Sequence, residues 1–276
     1  MKLSAAARRF DRTLVSDAYN PLSTFKVQFE PFDYYKIDGA SVRRKVMSVD
    51  PSIAMPARRV IDVAGQKFLV GEPGIDFWEG EPIRGQYVIQ GADAEVSIRT
   101  IAQTLADTAG TTAWASIDFS KYGTDERDSS EYHPQYHIYF GEPETIPEDA
   151  IVQNGADTYL VRNSHRTVSG LRDAIANRLD SPVIDAAVFS SQTYDPITDT
   201  YTGTPTTVRC LRVRWQEHFE YLSASSEKFE RGDMQVLVPL SVTAKASDTF
   251  TLSDGVWRIL AVVTRAGYRM LHVRRA

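Results

Sequence analysis

The chain has 276 residues and a formal net charge of -5; 42% of its residues are hydrophobic, 24% charged and 11% aromatic. That mixture is too apolar for disorder and supplies enough chain for one large core or two small ones. The negative balance gives no global footprint for nucleic acid, no apolar run approaches the ~18 residues of a membrane span, and a single cysteine excludes an intrachain disulfide.

At the start of the chain, Leu3, Ala6, Ala7, Phe10 and Leu14 recur at helical spacing and predict a short amphipathic helix with a basic outer face. Such a helix either docks on its own domain or reaches a neighbouring subunit. Arginines interrupt this segment, and it lacks the apolar core of a secretory signal. From Phe25 to Gln90 the pattern turns to strands. Phe25, Val27 and Phe29 alternate with Lys26 and Gln28, residues 59–70 read as a hairpin turning near Gly65, and residues 86–90 form another strand. Between them Gly71, Pro73, Gly74, Gly80, Pro82 and Gly85 predict loops. Ile98, Ile101, Ala102, Leu105 and Ala109 form a helical stripe, with Gly110 as its C-cap.

The acidic, Tyr-rich stretch 121–148 reads as a long exposed excursion. Residues 121–150 hold eight carboxylates (Asp125, Glu126, Asp128, Glu131, Glu142, Glu144, Glu148, Asp149) against Lys121 and Arg127. Residues 256–276 hold Arg258, Arg265, Arg269, Arg274 and Arg275 and no acid. These two zones can pair within the chain or between copies in a ring. A boundary is expected near Arg162–Ser169, separating a β-rich N-terminal domain (1–169) from a C-terminal domain (170–276). Residues 171–179 read as a helix, with Ser169 as N-cap and Pro182 beyond its end. Residues 194–203 read as turn-rich. Cys210 sits in an alternating strand, Val208–Val213, as a buried thiol. An internal echo also appears at Gly65–Val70, Gly155–Val161 and Gly255–Leu260, a glycine turn just before an aromatic strand start. It reads as repeated hairpin chemistry rather than as a duplication.

Little in the sequence suggests catalysis, and the chain reads as a non-enzyme with no cofactor. Gly71-Glu72-Pro73-Gly74 lacks the lysine and following helix of a phosphate loop, and there is no Gly-x-Ser-x-Gly elbow. His133 and His137 are spaced to chelate on a helix, but Pro134 and the aromatic density favour a strand, where positions four apart lie roughly 13 Å apart. Asp195 and Asp199, with Thr198 and Thr200, do not follow a calcium-loop spacing and read as local turn caps after Asp195-Pro196. Glu142/Glu144 and Glu148/Asp149 sit in polar surroundings that would not raise a carboxyl pKa. At the end of the chain, Met270, Leu271 and Val273 interleave with Arg269, His272 and Arg274, predicting a strand with an apolar inner face and a cationic outer face.

From Gly170 onward the chain resembles the head–tail connector, or stopper, proteins of tailed bacteriophages. The likeness rests on the Leu171–Ile175 helix, the Tyr194-Asp195-Pro196-x-Thr198 turn, Phe229–Asp233 leading into Val236–Val238, and Asp248–Phe250 followed by Asp254–Ile259 and Leu271–Arg275. It implies a mainly β protein: a small stopper-like β-barrel with one leading helix, behind a β-rich N-terminal domain with one or two helices. It further implies a ring of six or twelve copies in the virion neck, assembled in the host cytoplasm and in contact with no membrane. Portal or adaptor proteins would sit above the ring and tail proteins below, with packaged DNA passing through without sequence recognition. Asp195, Pro196, Thr198, Asp199, Arg231, Gly232, Asp233, Arg269, Arg274 and Arg275 are the candidate interface or channel-loop residues, from the loops at 195–205 and 223–232 and the final strand. A tail terminator or fibre adaptor is the alternative role, and a virion-borne glycan hydrolase a more distant one.

Overall fold

A computed structural model describes residues 13–29, 36–37, 40–41, 44–78, 81–120, 135–141, 144–179, 184–190, 193–195, 200–202, 205–214 and 232–276. Strands β1 (Thr13–Asp17) and β2 (Thr24–Phe29) are followed by a small ladder of β3 (Lys36–Ile37) with β4 (Ala40–Ser41). Then come β5 (Arg44–Val49), β6 (Val60–Val63), β7 (Gln66–Trp78) and β8 (Glu81–Ala92). The middle of the chain supplies β9 (Ala94–Thr100), the helix α1 (Ile101–Leu105), β10 (Thr111–Ser120), β11 (Gln135–Phe140), β12 (Ala150–Asn154), β13 (Asp157–Arg166) and β14 (Arg172–Leu179). The last part supplies β15 (Ile184–Ser190), a second small ladder of β16 (Thr193–Asp195) with β17 (Thr200–Thr202), β18 (Pro205–Arg214), β19 (Met234–Pro239), β20 (Thr249–Leu252), β21 (Gly255–Arg265) and β22 (Tyr268–Arg275).

These strands close into three six-stranded antiparallel barrels in chain succession. All three share one strand order. With the strands of each barrel named a to f along the chain, and the small ladders left aside, the order around the barrel is a-b-c-f-e-d and back to a. Each barrel is filled by one side of its alternating strands. Val15, Val27, Met47, Val49, Ile61, Val70 and Ile89 fill the first. Ile138, Phe140, Val152, Tyr159 and six alanines fill the second, and Cys210, Val236, Phe250, Trp257, Ile259, Leu271 and Val273 help fill the third. Closure leaves these sheets without a free edge.

The three d–e hairpins match residue for residue. Val63 pairs with Gln66, Asn154 with Asp157 and Leu252 with Gly255. The third residue of strand e is Phe68, Tyr159 or Trp257, and a β-bulge follows Val70, Val161 and Ile259 at the same distance from the turn. The sequence echo therefore marks equivalent hairpins of a threefold repeat, not unrelated turns.

Several expectations are corrected. The mainly β class holds, but the layout of one stopper-like barrel behind a β-rich domain with one or two helices gives way to three like barrels. Residues 171–179 form no helix; Arg172–Leu179 is β14 of the second barrel. Leu171, Ile175 and Leu179 satisfy helical spacing, yet Ala174 and Ala176 point into the barrel while Asp173, Asn177 and Leu179 point out. The period of two wins because pairing with β11 and β13 satisfies the backbone on both sides. Ser169 caps no helix; it lies in the turn between β13 and β14. The helix expected over 98–109 shrinks to α1, capped by a Thr100–Gln103 capping box, while Ile98 belongs to β9. In the Gly- and Pro-rich stretch 71–85, residues 71–78 and 81–85 form no loops but the far half of the β7–β8 ladder, and Gly80 lies outside the described residues. Most of the predicted N-terminal helix lies outside the described residues, and Leu14, its last member, stands in β1.

Consecutive barrels meet through one kind of joint, used twice. The first barrel presents Val60, Leu69 and Ala92 from strands d, e and f, plus Ala18 and Tyr19 from its a–b connection, to Trp114, Tyr139 and Leu171 of the second. The second presents Ile151, Leu160 and Leu179 from the same strands, plus Ile101 and Leu105 of α1 in its a–b connection, to Leu211, Val213, Leu237, Tyr268 and Met270 of the third. The ladder registers make the donor triplets positionally equivalent: Val60 with Ile151, Leu69 with Leu160, Ala92 with Leu179. On the accepting side Tyr139 is equivalent to Leu237, and Leu171 to Tyr268.

Polar contacts fix each joint's register. In the first, the Trp114 amide donates to the Tyr19 hydroxyl at 2.9 Å, and Arg58 lies 3.9 Å from the Tyr19 ring centre while bonding Glu144 and the Thr112 carbonyl. The Glu72 amide donates to the Ser169 carbonyl at 2.8 Å. A Cβ on Gly71 would stand 2.1 Å from that same oxygen, so only glycine allows the approach. In the second, Arg209 pairs with Asp107 at 2.9 Å, and the Tyr268 hydroxyl donates to Asp149 at 2.9 Å. Removing one donor residue should weaken a joint without emptying a barrel. Leu160→Ala is expected to cost about 3 kcal/mol, read as a lower urea midpoint, with new protease cleavage between residues 179 and 184.

Candidate interaction surfaces

Among the described residues no group of three or more His, Cys, Asp or Glu side chains is placed to hold a metal ion. His133 lies outside the described residues. His137, on β11, instead faces Asp173 of β14, with its Nδ1 2.9 and 3.1 Å from the two carboxylate oxygens. Asp118 stands opposite His137 on β10, and His165 opposite Asp173 on β13, its Nε2 3.8 Å from that carboxylate. The bond to Asp173 raises the His137 pKa against the opposing effect of burial. This polar row crosses four strands of the second barrel's outer face. The sequence reading missed it because Asp173 fell in the expected helix.

The predicted interface residues divide. Pro196, Thr198, Asp199 and Arg231 lie outside the described residues. Asp195 ends β16, so the predicted 195–205 loop includes the ladder in the a–b connection of the third barrel. Gly232, at φ +106°, turns the chain into β19. Next to it Asp233 is buried, 5% exposed, and receives both ends of the Arg274 guanidinium, Nε at 2.8 Å and Nη2 at 2.9 Å. Arg269 bonds the Val242 carbonyl, and Arg275 the Asp254 carbonyl at 2.8 Å.

The last strand is therefore not cationic along its outer side. Leu271 and Val273 point into the barrel as expected, but Tyr268 and Met270 on the other side are buried in the second joint. His272, between Met270 and Arg274, is fully buried opposite Gln235. Burial holds its pKa down at about 4. Cys210 is buried in the third barrel, and burial pushes its thiol up to about 12, so it is no nucleophile in the folded state. Of the acidic stretch, Glu144 and Asp149 serve the joints, and in the basic tail Arg274 finds the Asp233 carboxylate and Arg275 the Asp254 carbonyl, both within the third barrel.

No family model, no curated protein and no solved structure matches the chain.

The two histidines give opposite pH dependences. His272 favours the folded state above its ordinary pKa near 6.5, and this is lost as pH falls from there toward 4. His137 favours it below that ordinary value, and this is lost as pH rises through its raised pKa. His272→Gln should remove roughly 3 kcal/mol of the acid-side loss, read as urea midpoints compared at neutral pH and near pH 4. His137→Gln should flatten the neutral-to-alkaline limb instead.

Proposed function

We propose that the protein is a structural, non-enzymatic subunit of the neck or tail of a tailed bacteriophage, forming a ring with copies of itself between head and tail. The observation that carries the structural part is the repeated joint. The same three positions on strands d, e and f are apolar in the first two barrels and seat the next barrel each time. A chain built this way invests its outer surfaces in barrel-on-barrel contact, as a spacer or adaptor requires.

The placement in a phage rests on the resemblance of the C-terminal region. Its leading helix is strand β14, so the support comes from the segments around the Tyr194-Asp195-Pro196 turn and from Gly232 to Arg275. Portal or adaptor proteins on one side and tail proteins on the other are the proposed partners.

Mass photometry of the purified full chain tests the reading, together with co-sedimentation on portal rings and on tail tubes. Rings of six or twelve copies that bind either assembly are expected. A chain that stays monomeric at every concentration and binds neither would overturn it.

A further inference from the structure

Two adjacent rows of outward side chains lie at the second joint on the third barrel. One row is Leu211, Leu237, Met270 and Val263, on strands b, c, f and e. All four belong to the apolar cluster of that joint. The next row, two residues along each strand, is Val213, Gln235, His272 and Ala261. Val213 is again part of the cluster, so this second row is also drawn into the joint. Within it Gln235 is 1% exposed and His272 not exposed at all.

Among the described residues, the charged groups of the third barrel beside His272 are Asp233 on β19, Arg274 on its own strand and Arg258 on β21, opposite Arg274. The second barrel presents apolar Ile101, Leu105, Ile151, Leu160 and Leu179 to the joint, and its Arg162 and Asp149 gather around Tyr268, four residues back on β22. A neutral imidazole fits this place. A proton there would set a cation beside Arg274, and the nearby Asp233 carboxylate already holds that guanidinium at both ends.

The same row of the second barrel is built the other way. Ladder register puts Asp118 in the place of Val213, His137 in that of Gln235 and Ile175 in that of His272. This row borders the first joint, since Gln90 of the first barrel reaches Asp118. Its histidine has Asp173 within hydrogen-bond distance, Asp118 across the ladder, and His165 on the far side of Asp173. A proton on His137 therefore meets two carboxylates.

We propose that acid opens the second joint and leaves the first closed, with His272 as the trigger, so that the third barrel comes away from the second as an intact unit. The contact lies within one chain, so the inference is independent of the neck reading. His272 stands on the outer side of its barrel, and undocking returns it to water without unfolding the sheet. Burial holds its pKa at about 4 against an ordinary 6.5. Protons therefore favour the undocked form below 6.5, by about tenfold per pH unit and roughly 300-fold by pH 4. The His137 pKa is raised instead, so the same acidification favours the closed arrangement at the first joint. The residues between β14 and β15 keep the barrels on one chain throughout.

Hydroxyl-radical footprinting of the full chain between pH 7 and pH 4 tests this, because it reads side-chain exposure directly. Labelling of Tyr268 and Met270, both buried in the second joint, is expected to rise about tenfold per pH unit below 6.5. Phe250 and Trp257 inside the third barrel, and Trp114 and Tyr139 at the first joint, should keep their neutral-pH labelling. His272→Gln should hold Tyr268 and Met270 protected down to pH 4, and His137→Gln should leave their labelling unchanged. Arg274→Gln, which removes the cation beside His272, should move its onset to lower pH. Labelling of Met270 that ignores pH, or that rises together with Phe250 or with Tyr139, would overturn the inference. So would acid labelling that persists in His272→Gln, or, should that variant not fold, an onset that Arg274→Gln does not move.

Discussion

A six-stranded sheet that closes on itself has no free backbone edge, so one barrel can meet another only through side chains on its outer surface. Everything above the level of the single barrel depends on that constraint. Strands d, e and f of the first two barrels are therefore apolar on both sides: Val152, Tyr159 and Val161 fill the second barrel, while Ile151 and Leu160 between them bind the third. In the third barrel Phe250, Trp257 and Ile259 fill the interior in the same way, but the intervening outward positions are Thr249, Thr251 and Arg258. The inward set specifies the barrel and the outward set specifies what it may touch.

Polar groups then set the register of what the apolar triplets hold together. Apolar contact is nondirectional and would tolerate a slide. The Trp114 amide on the Tyr19 hydroxyl, the Glu72 amide on the Ser169 carbonyl, and Tyr268 on Asp149 are directional and do not. Gly71 contributes by lacking a side chain, since it admits a carbonyl where any Cβ would collide. These contacts bury both a main-chain amide and a side-chain hydroxyl at the seams, so a misdocked barrel would leave them unsatisfied.

Much of the single-barrel structure was legible in the sequence. Alternation marked β2, β18 and β22, and the glycine turns at Gly65 and Gly155 marked two of the d–e hairpins. What could not be read was anything decided by a neighbour. Strand β14 looked helical because Leu171, Ile175 and Leu179 stand four apart, and the small inward Ala174 and Ala176 gave little counter-signal. The joints were invisible because Ile151 and Leu160 are indistinguishable from core residues by type. A nearly continuous apolar run such as Ala150-Ile151-Val152 is the one trace of two-sided burial. The threefold repeat stayed hidden because the strands differ in length and the a–b connection is a short turn, a helix or a small ladder in turn. The row formed by Asp118, His137, Asp173 and His165 is dispersed over about fifty residues of chain and exists only once four strands are in register.

The covalent links between barrels differ in length. Only Asp93 separates β8 from β9, and its amide is already bonded to the Ala115 carbonyl, whereas four residues separate β14 from β15. A four-residue tether can span at most about 14 Å; a single bonded residue spans almost nothing. The single bonded residue ties the first two barrels together covalently as well as through their joint, whereas the second and third barrels are held in register by their joint, by Arg209 on Asp107 and Tyr268 on Asp149.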